Sequence, residues 1–160
     1  MNTYSNTFNI YKELKNKYKE CDGYFYKNIN RVKLEDNKVF ITKTTDDFVS
    51  ELYYCKIEKI LNDCDKKYTD SRIDFLMFHD KIIGFEMKKN IDGHSISQVQ
   101  KFINNWFKQN ILNGNTSNNI SYILCIVYKN NNLRGTNETI KLEKNKIRLL
   151  KQGEYKINEL

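Results

Sequence analysis

The stretch Ser71-Arg72-Ile73-Asp74-Phe75-Leu76-Met77-Phe78-His79-Asp80-Lys81-Ile82-Ile83-Gly84-Phe85-Glu86-Met87-Lys88-Lys89 decides how the rest of the chain reads. Two apolar runs flank the polar segment His79-Asp80-Lys81, which predicts a pair of strands joined as a hairpin. Alternate side chains of a strand share a face, so Glu86 and Lys88 point the same way, about 7 Å apart at their Cα atoms. Ile83, Phe85 and Met87 point the other way, into a core. Asp74 interrupts a run whose other members are Ile73, Phe75, Leu76, Met77 and Phe78, and a polar head in such company must find a partner. Two carboxylates brought together repel unless a cation lies between them, and an oxygen-only donor set suits Mg²⁺ or Mn²⁺. Such an ion lowers the pKa of bound water and offsets charge on phosphoryl oxygens. A lysine beside it can stabilise the same charge or help to activate the water. The trio Asp74, Glu86 and Lys88 therefore points to metal-dependent phosphodiester hydrolysis. A surface hairpin with an ordinary ion pair is the plainer alternative, and it leaves the apolar setting of Asp74 unexplained.

Upstream of the hairpin, Phe8, Tyr11, Leu14 and Tyr18 fall at helical spacing within residues 5–20. Segments 31–34 and 38–42 flank Glu35-Asp36-Asn37 and predict a second hairpin. Asp46 or Asp47 can cap a helix running to about Cys64, apolar through Val49, Tyr53, Ile57, Ile60 and Leu61 and polar through Asp47, Glu51, Glu58 and Asn62. Downstream, Ser95 or Ser97 opens a helix to about Leu112 with Val99, Phe102, Ile103, Trp106 and Phe107 on its packed face, and Asn113-Gly114-Asn115 ends it. The nearly unbroken apolar run 121–128 predicts a strand in the interior of a sheet. Residues 130–137 read as a loop, and the lysine-rich tail as short extended pieces or a short helix. The sum is an α/β fold, a mixed central sheet flanked by helices, in one domain spanning 1–160.

The length of 160 residues suits one core. No apolar run approaches the roughly 20 residues of a membrane span, and the N-terminus lacks a signal-like pattern, so the expectation is an intracellular protein without membrane attachment. Cys21, Cys55, Cys64 and Cys125 form no Cys-x-x-Cys pair, which argues against zinc and for buried free thiols in a reducing compartment. The formal net charge of +7 favours a polyanionic partner, although a chain so rich in Asn, Lys, Ile and Tyr also has the composition of an AT-rich gene.

Ile73-Asp74, eleven intervening residues, then Glu86-Met87-Lys88 resembles the signature of the PD-(D/E)XK nuclease superfamily. Within it the likeness is to Holliday junction resolvases and virus-type replication–repair nuclease domains, whose signature strand leads into a helix opening Ser-x-x-Gln. Ser97-Gln98-Val99-Gln100 stands in that place, and the likeness covers about residues 47–128. The resemblance implies a restriction-endonuclease-like core. It implies Asp74, Glu86 and the Met87 backbone carbonyl as ligands of Mg²⁺, with Mn²⁺ able to substitute, and Lys88 as the catalytic lysine. It implies that Gln100 reaches toward the site, and that a glutamate from the preceding helix joins it, Glu51 by its distance from Asp74, with Glu58 as the rival. The family's proline is Ile73 here. The strand usually placed before the Asp strand has only residues 65–71 available, so 31–34 or 38–42 is a candidate for that slot. His94, just after the lysine strand, is a candidate DNA contact, Lys89 a weaker one. His79 reads as a solvated turn residue.

These features imply a metal-dependent endonuclease acting on branched DNA, homodimeric if it makes the paired cuts of junction resolution. The absence of a histidine before residue 79 favours DNA over capped RNA. A sequence-reading restriction-type enzyme, or a nucleic-acid-binding protein that keeps the fold without cutting, are the alternatives. The first lacks an evident recognition helix, and the intact trio argues against the second. A small RNA-binding domain lacks its aromatic motifs.

Overall fold

In the computed structural model, β5 (Phe75–Phe78) and β6 (Ile82–Ile91) pair antiparallel from Phe75 opposite Phe85 to Phe78 opposite Ile82. The turn between them closes through His79 N–H donating to the Lys81 carbonyl. The structure describes residues 3–27, 31–34, 39–42, 52–112, 120–131, 139–142 and 145–160. Ahead of the hairpin lie α1 (Thr3–Lys17), a 3₁₀ turn (Lys19–Tyr24), β1 (Phe25–Tyr26), β2 (Arg31–Leu34), β3 (Val39–Thr42), β4 (Tyr53–Cys55) and α2 (Ile57–Cys64). After it come α3 (Gly93–Phe102), which continues as a π-helix (Ile103–Leu112), then β7 (Tyr122–Asn131), β8 (Thr139–Leu142), β9 (Asn145–Lys151), β10 (Gly153–Lys156) and a 3₁₀ turn (Ile157–Glu159).

Seven strands form one mixed sheet in the order β1-β4-β5-β6-β7-β9-β8, in which β7 runs parallel to both β6 and β9. The parallel step from β6 to β7 is bridged by α3 and its π extension, because parallel neighbours need a crossover. β7 has a hydrogen-bonded strand on each side, which accounts for its continuous apolar run. On one face of the sheet Leu76, Phe78, Ile82, Leu124 and Ile126 pack with Ile10 and Leu14 of α1, Ile60 and Leu61 of α2, and Val99, Phe102 and Trp106 of the long helix. On the other, Phe75, Met77, Ile83, Phe85, Cys125 and Val127 pack with Val32 and Leu34 of β2 and with Ile157 and Leu160. β2 belongs to a second, three-stranded sheet of order β10-β3-β2. The α/β class with helices flanking a mixed sheet is the one expected.

Several local expectations change. The helix expected from 46 or 47 is helical only over Ile57–Cys64, and Tyr53–Cys55 is a strand. Tyr53, Ile57, Ile60 and Leu61 do fall at helical spacing, but Tyr53 lies opposite Phe78 and Cys55 opposite Leu76, so ladder pairing overrides the periodicity. Residues 43–51, with Glu51, lie outside the described residues. β4 also fills the slot beside the Asp74 strand, whereas 31–34 and 39–42 pair with each other in the smaller sheet. The second helix starts at Gly93, because the Asp92 carboxylate accepts from Ser95 N–H at 2.9 Å. The turn residues 113–115 and most of the loop at 130–137 lie outside the described residues.

Two further corrections concern side chains. Cys21 and Cys64 are joined by a disulfide across 43 residues, and only Cys55 and Cys125 are buried free thiols. The bond ties the C-terminal end of α2 to the turn after α1. His79 is buried rather than solvated, and its carbonyl accepts from the Thr7 hydroxyl. Among the described residues no helix is long and apolar enough to cross a membrane.

Gly84 fixes how closely the hairpin packs. A Cβ there would meet Ile73 Cδ1 at 2.7 Å and Leu124 Cγ at 2.9 Å. Ile73 lies over that gap, and the residue after it is Asp74. Gly84→Ala is expected to cost about 1–3 kcal/mol by overpacking, read as a lower urea midpoint. Thiol titration of protein unfolded without reductant should find two free cysteines, from Cys55 and Cys125; four would remove the bridge.

Candidate active site

Asp74 sits one residue before β5, and its N–H donates to the Phe85 carbonyl at 3.0 Å. The β5–β6 pairing ends at Phe75 opposite Phe85, and this bond falls one residue out of that register, so Asp74 and Phe75 both lie against Phe85, the residue before Glu86. Glu86 alternates with Ile82 and Gly84 along β6, so it lies on the face covered by helices. The Asp74 carboxylate also accepts from Met87 N–H at 2.7 Å, capping the open end of the hairpin with a side chain. Glu86 is buried, with 5% of its surface exposed. Its Oε1 is 3.3 Å from Lys88 Nζ and accepts from Gln98 Nε2 at 3.1 Å. The same Gln98 nitrogen donates to the Arg72 carbonyl at 2.9 Å, so α3 is laced to both β6 and the segment leading into β5.

Glu58 completes the group. It lies in the first turn of α2 and lines the same recess as Asp74, and its charge acts on both Asp74 and Glu86. Burial, the Glu86 charge and Glu58 together raise the Asp74 carboxyl, against the lowering effect of the Met87 N–H. Burial also raises Glu86 and Glu58 adds to the rise, while Lys88 and Gln98 pull the other way. Asp74 and Glu86 beside one lysine cannot both be ionised cheaply away from water. Protons or a cation must supply the missing positive charge.

Two recesses flank Glu58. One, of about 300 Å³, is lined by Lys33, Tyr54, Lys56, Lys59, Asp74 and Phe75 together with Glu58. The other, of about 270 Å³, is lined by Arg72, His94, Ser97, Gln98 and Lys101, with Asp70 and Ser71 at its edge. The acids thus stand between two openings that both carry cationic side chains.

The structure brings Asp74, Glu86 and Lys88 together as the sequence predicts, and puts Met87 beside them. It does not bring Gln100. That amide donates to Asn104 Oδ1 at 3.2 Å, and its own oxygen is buried without a partner. Gln98 takes the place expected of Gln100, because the docking of α3 on the sheet turns residue 98 toward the strand ends. Glu51 is not among the described residues, and Glu58 is the helix glutamate at the site. His94 is exposed at the rim of the second recess. Lys89 is exposed and, by strand alternation, faces away from Lys88. Arg72 and Lys101 were not singled out by sequence; a basic residue two before the acid, and one three after Gln98 on the same helix side, was the available signal.

Among the described residues no three histidine, cysteine or carboxylate side chains form a ready-made metal cage. The donor types are nevertheless those a hard dication takes: carboxylate oxygens from Asp74, just before β5, from Glu86 in β6 and from Glu58 in α2, with no sulfur or imidazole among them. Compared with known proteins, the chain matches no family model, no curated protein and no solved structure significantly.

The burial of these acids has a measurable sign. In the metal-free protein Asp74 titrates above its unfolded value. Below about pH 4 both states keep the proton and no penalty exists. As pH rises the unfolded chain releases its proton first, so stability declines until about pH 8, where the folded group also ionises. Asp74→Asn should remove much of that decline. In urea unfolding with chelator, the variant is expected to gain stability relative to the parent at pH 8 and little at pH 4; a gain that is equal at both would refute the assignment.

Proposed function

We propose that the protein is a divalent-metal-dependent endodeoxyribonuclease of the PD-(D/E)XK type, with a restriction-endonuclease-like core, acting on branched or otherwise structured DNA as a homodimer. The observation that carries this reading is the placing of Asp74 and Glu86 beside Lys88 at the open end of the β5–β6 hairpin, with Glu58 of α2 lining the same recess as Asp74. An ion pair kept for stability alone needs neither a second acid beside it nor the burial of Glu86. The strand beside the Asp74 strand, which the resemblance calls for, is supplied by β4, although it comes before α2 rather than after it.

Asp74, Glu86 and Glu58 are the residues that would hold Mg²⁺ or Mn²⁺, with the Met87 carbonyl as the backbone ligand that the resemblance implies. A bound dication would acidify a water and offset charge on the phosphoryl oxygens. Lys88 contributes a positive charge at the same spot, aimed by its contact with Glu86, and can donate to a phosphate oxygen there. Gln98 holds Glu86 in one orientation by donating to Oε1, and so acts as a positioning residue. Arg72, Lys101 and His94 line the approach on one side, where a DNA backbone would need cationic contacts. The net charge of +7 assists capture of a polyanion.

The direct test is incubation with Mg²⁺ or Mn²⁺ and linear, flap, single-stranded and four-way junction DNA. Cutting confined to branched DNA is expected. Glu86→Gln and Lys88→Ala should each lower the rate by about 100-fold or more, and Gln98→Ala by about 10-fold. Cleavage that survives chelator, or is unchanged in Glu86→Gln, would refute the reading. Sedimentation should show a dimer on the junction.

A further inference from the structure

The recess lined by Lys33, Tyr54, Lys56, Lys59 and Phe75 opens directly onto Asp74 and Glu58, yet no step of hydrolysis uses it. We infer that it is a subsite for one unpaired nucleotide next to the scissile phosphate, its base against Tyr54 and its phosphates among the three lysines. The inference rests on the nuclease reading and deepens it by naming what makes a substrate structured.

Three observations converge. First, the aromatic wall is rigid. The Tyr54 ring stacks on Tyr26 with centroids 4.5 Å apart and planes 7° from parallel. Both rings are held by the ladder that puts Tyr26 opposite Tyr54. A flat ring fixed from behind is a stacking platform that loses little freedom when a base lies on it. Second, two of the three cations are uncommitted. Lys33 and Lys59 are exposed, and among the described residues neither of them, nor Lys56, makes an ion pair. Lys56 instead lies over the Tyr26 ring, 5.4 Å from its centroid. Third, the volume is small. About 300 Å³ accepts a single ring system with its sugar and does not accept a duplex.

A paired base cannot use such a platform, because both its faces are already covered and its edge is bonded to its partner. A base that is extrahelical, or at a branch point, has a free face and little stacking to lose. The pocket therefore favours DNA that offers an unpaired nucleotide beside the bond to be cut. Selectivity for structure then follows from local single-strandedness at the active site, with no readout of base sequence.

The probe is a hairpin oligonucleotide carrying one extrahelical nucleotide, compared with the same hairpin fully paired. Binding is measured by fluorescence anisotropy with Ca²⁺ in the Glu86→Gln background, so nothing is cut. The bulged probe should bind about 10-fold tighter than the paired one. Tyr54→Ala should abolish that preference and Tyr54→Phe should keep it. Lys33→Glu, at an exposed position that does not endanger folding, should weaken the bulged probe more than the paired one. An undiminished preference in both Tyr54→Ala and Lys33→Glu, or equal binding of the two probes by the parent, would overturn the subsite while leaving the nuclease reading intact. Failure to bind either probe would overturn both.

Discussion

Everything at the candidate site follows from two carboxylates brought together at the end of a buried ladder. Asp74 lies one residue before β5 with its N–H on the Phe85 carbonyl, and Glu86 follows Phe85, so their placement depends on the register that buries Phe75, Leu76, Ile83 and Phe85. A one-residue slip would turn every one of those side chains to the wrong face. The fold therefore holds two like charges close together against their repulsion, and Glu58 adds a third. Like charges held this way are a demand for positive charge, and the supply can come from protons, from Lys88 or from a dication. Function, on the reading proposed, consists in which of these is present.

The same constraint shapes the surroundings. Ile73 must lie flat over Gly84 for Asp74 to reach its position, and Leu124 of the next strand closes the gap from the other side. Gln98 bridges the strand end and the approach to β5, so the helix covering the site is also the one that orients Glu86. α2 is short, with eight residues from Ile57 to Cys64, and its far end is fastened by the Cys21–Cys64 bond. A helix of two turns is marginal by itself. Its attachment at one end and its buried Ile57, Ile60 and Leu61 together hold Glu58 where it lines the recess with Asp74.

Legibility in the sequence tracked the range of the signal. The β5–β6 hairpin, β7 and the long helix were readable because each is a run of a single periodicity, and Asp74 was conspicuous as a charge inside one. β4 was not, since three residues are too few to show alternation, and Tyr53 also suited a helical stripe. Gln100 was expected at the site, but Gln98 and Gln100 lie on nearly opposite sides of α3, and which one meets Glu86 depends on how the helix docks on the sheet, which no local pattern gives. Glu58 competed with Glu51 on spacing along a helix expected to be longer. The pairing of Cys21 with Cys64 joins positions 43 apart, and nothing local announces it. Near contacts write themselves into the order of residues; distant ones do so only when many positions agree.

The smaller sheet joins distant parts of the chain. β10 runs parallel to β3, with Gly153 beside Val39 and Lys156 beside Thr42, and Ile157 and Leu160 fill the core beneath. During synthesis the hairpin and its helices can come together while β3 still lacks that neighbour. The face of the main sheet with Met77, Phe85 and Val127 then lacks Ile157 and Leu160 until residues 153–160 have left the ribosome. The helix-covered half, which carries the acids, can be assembled before the other half is sealed, so a nascent chain stalled short of Gly153 would present a greasy, adhesive surface to chaperones.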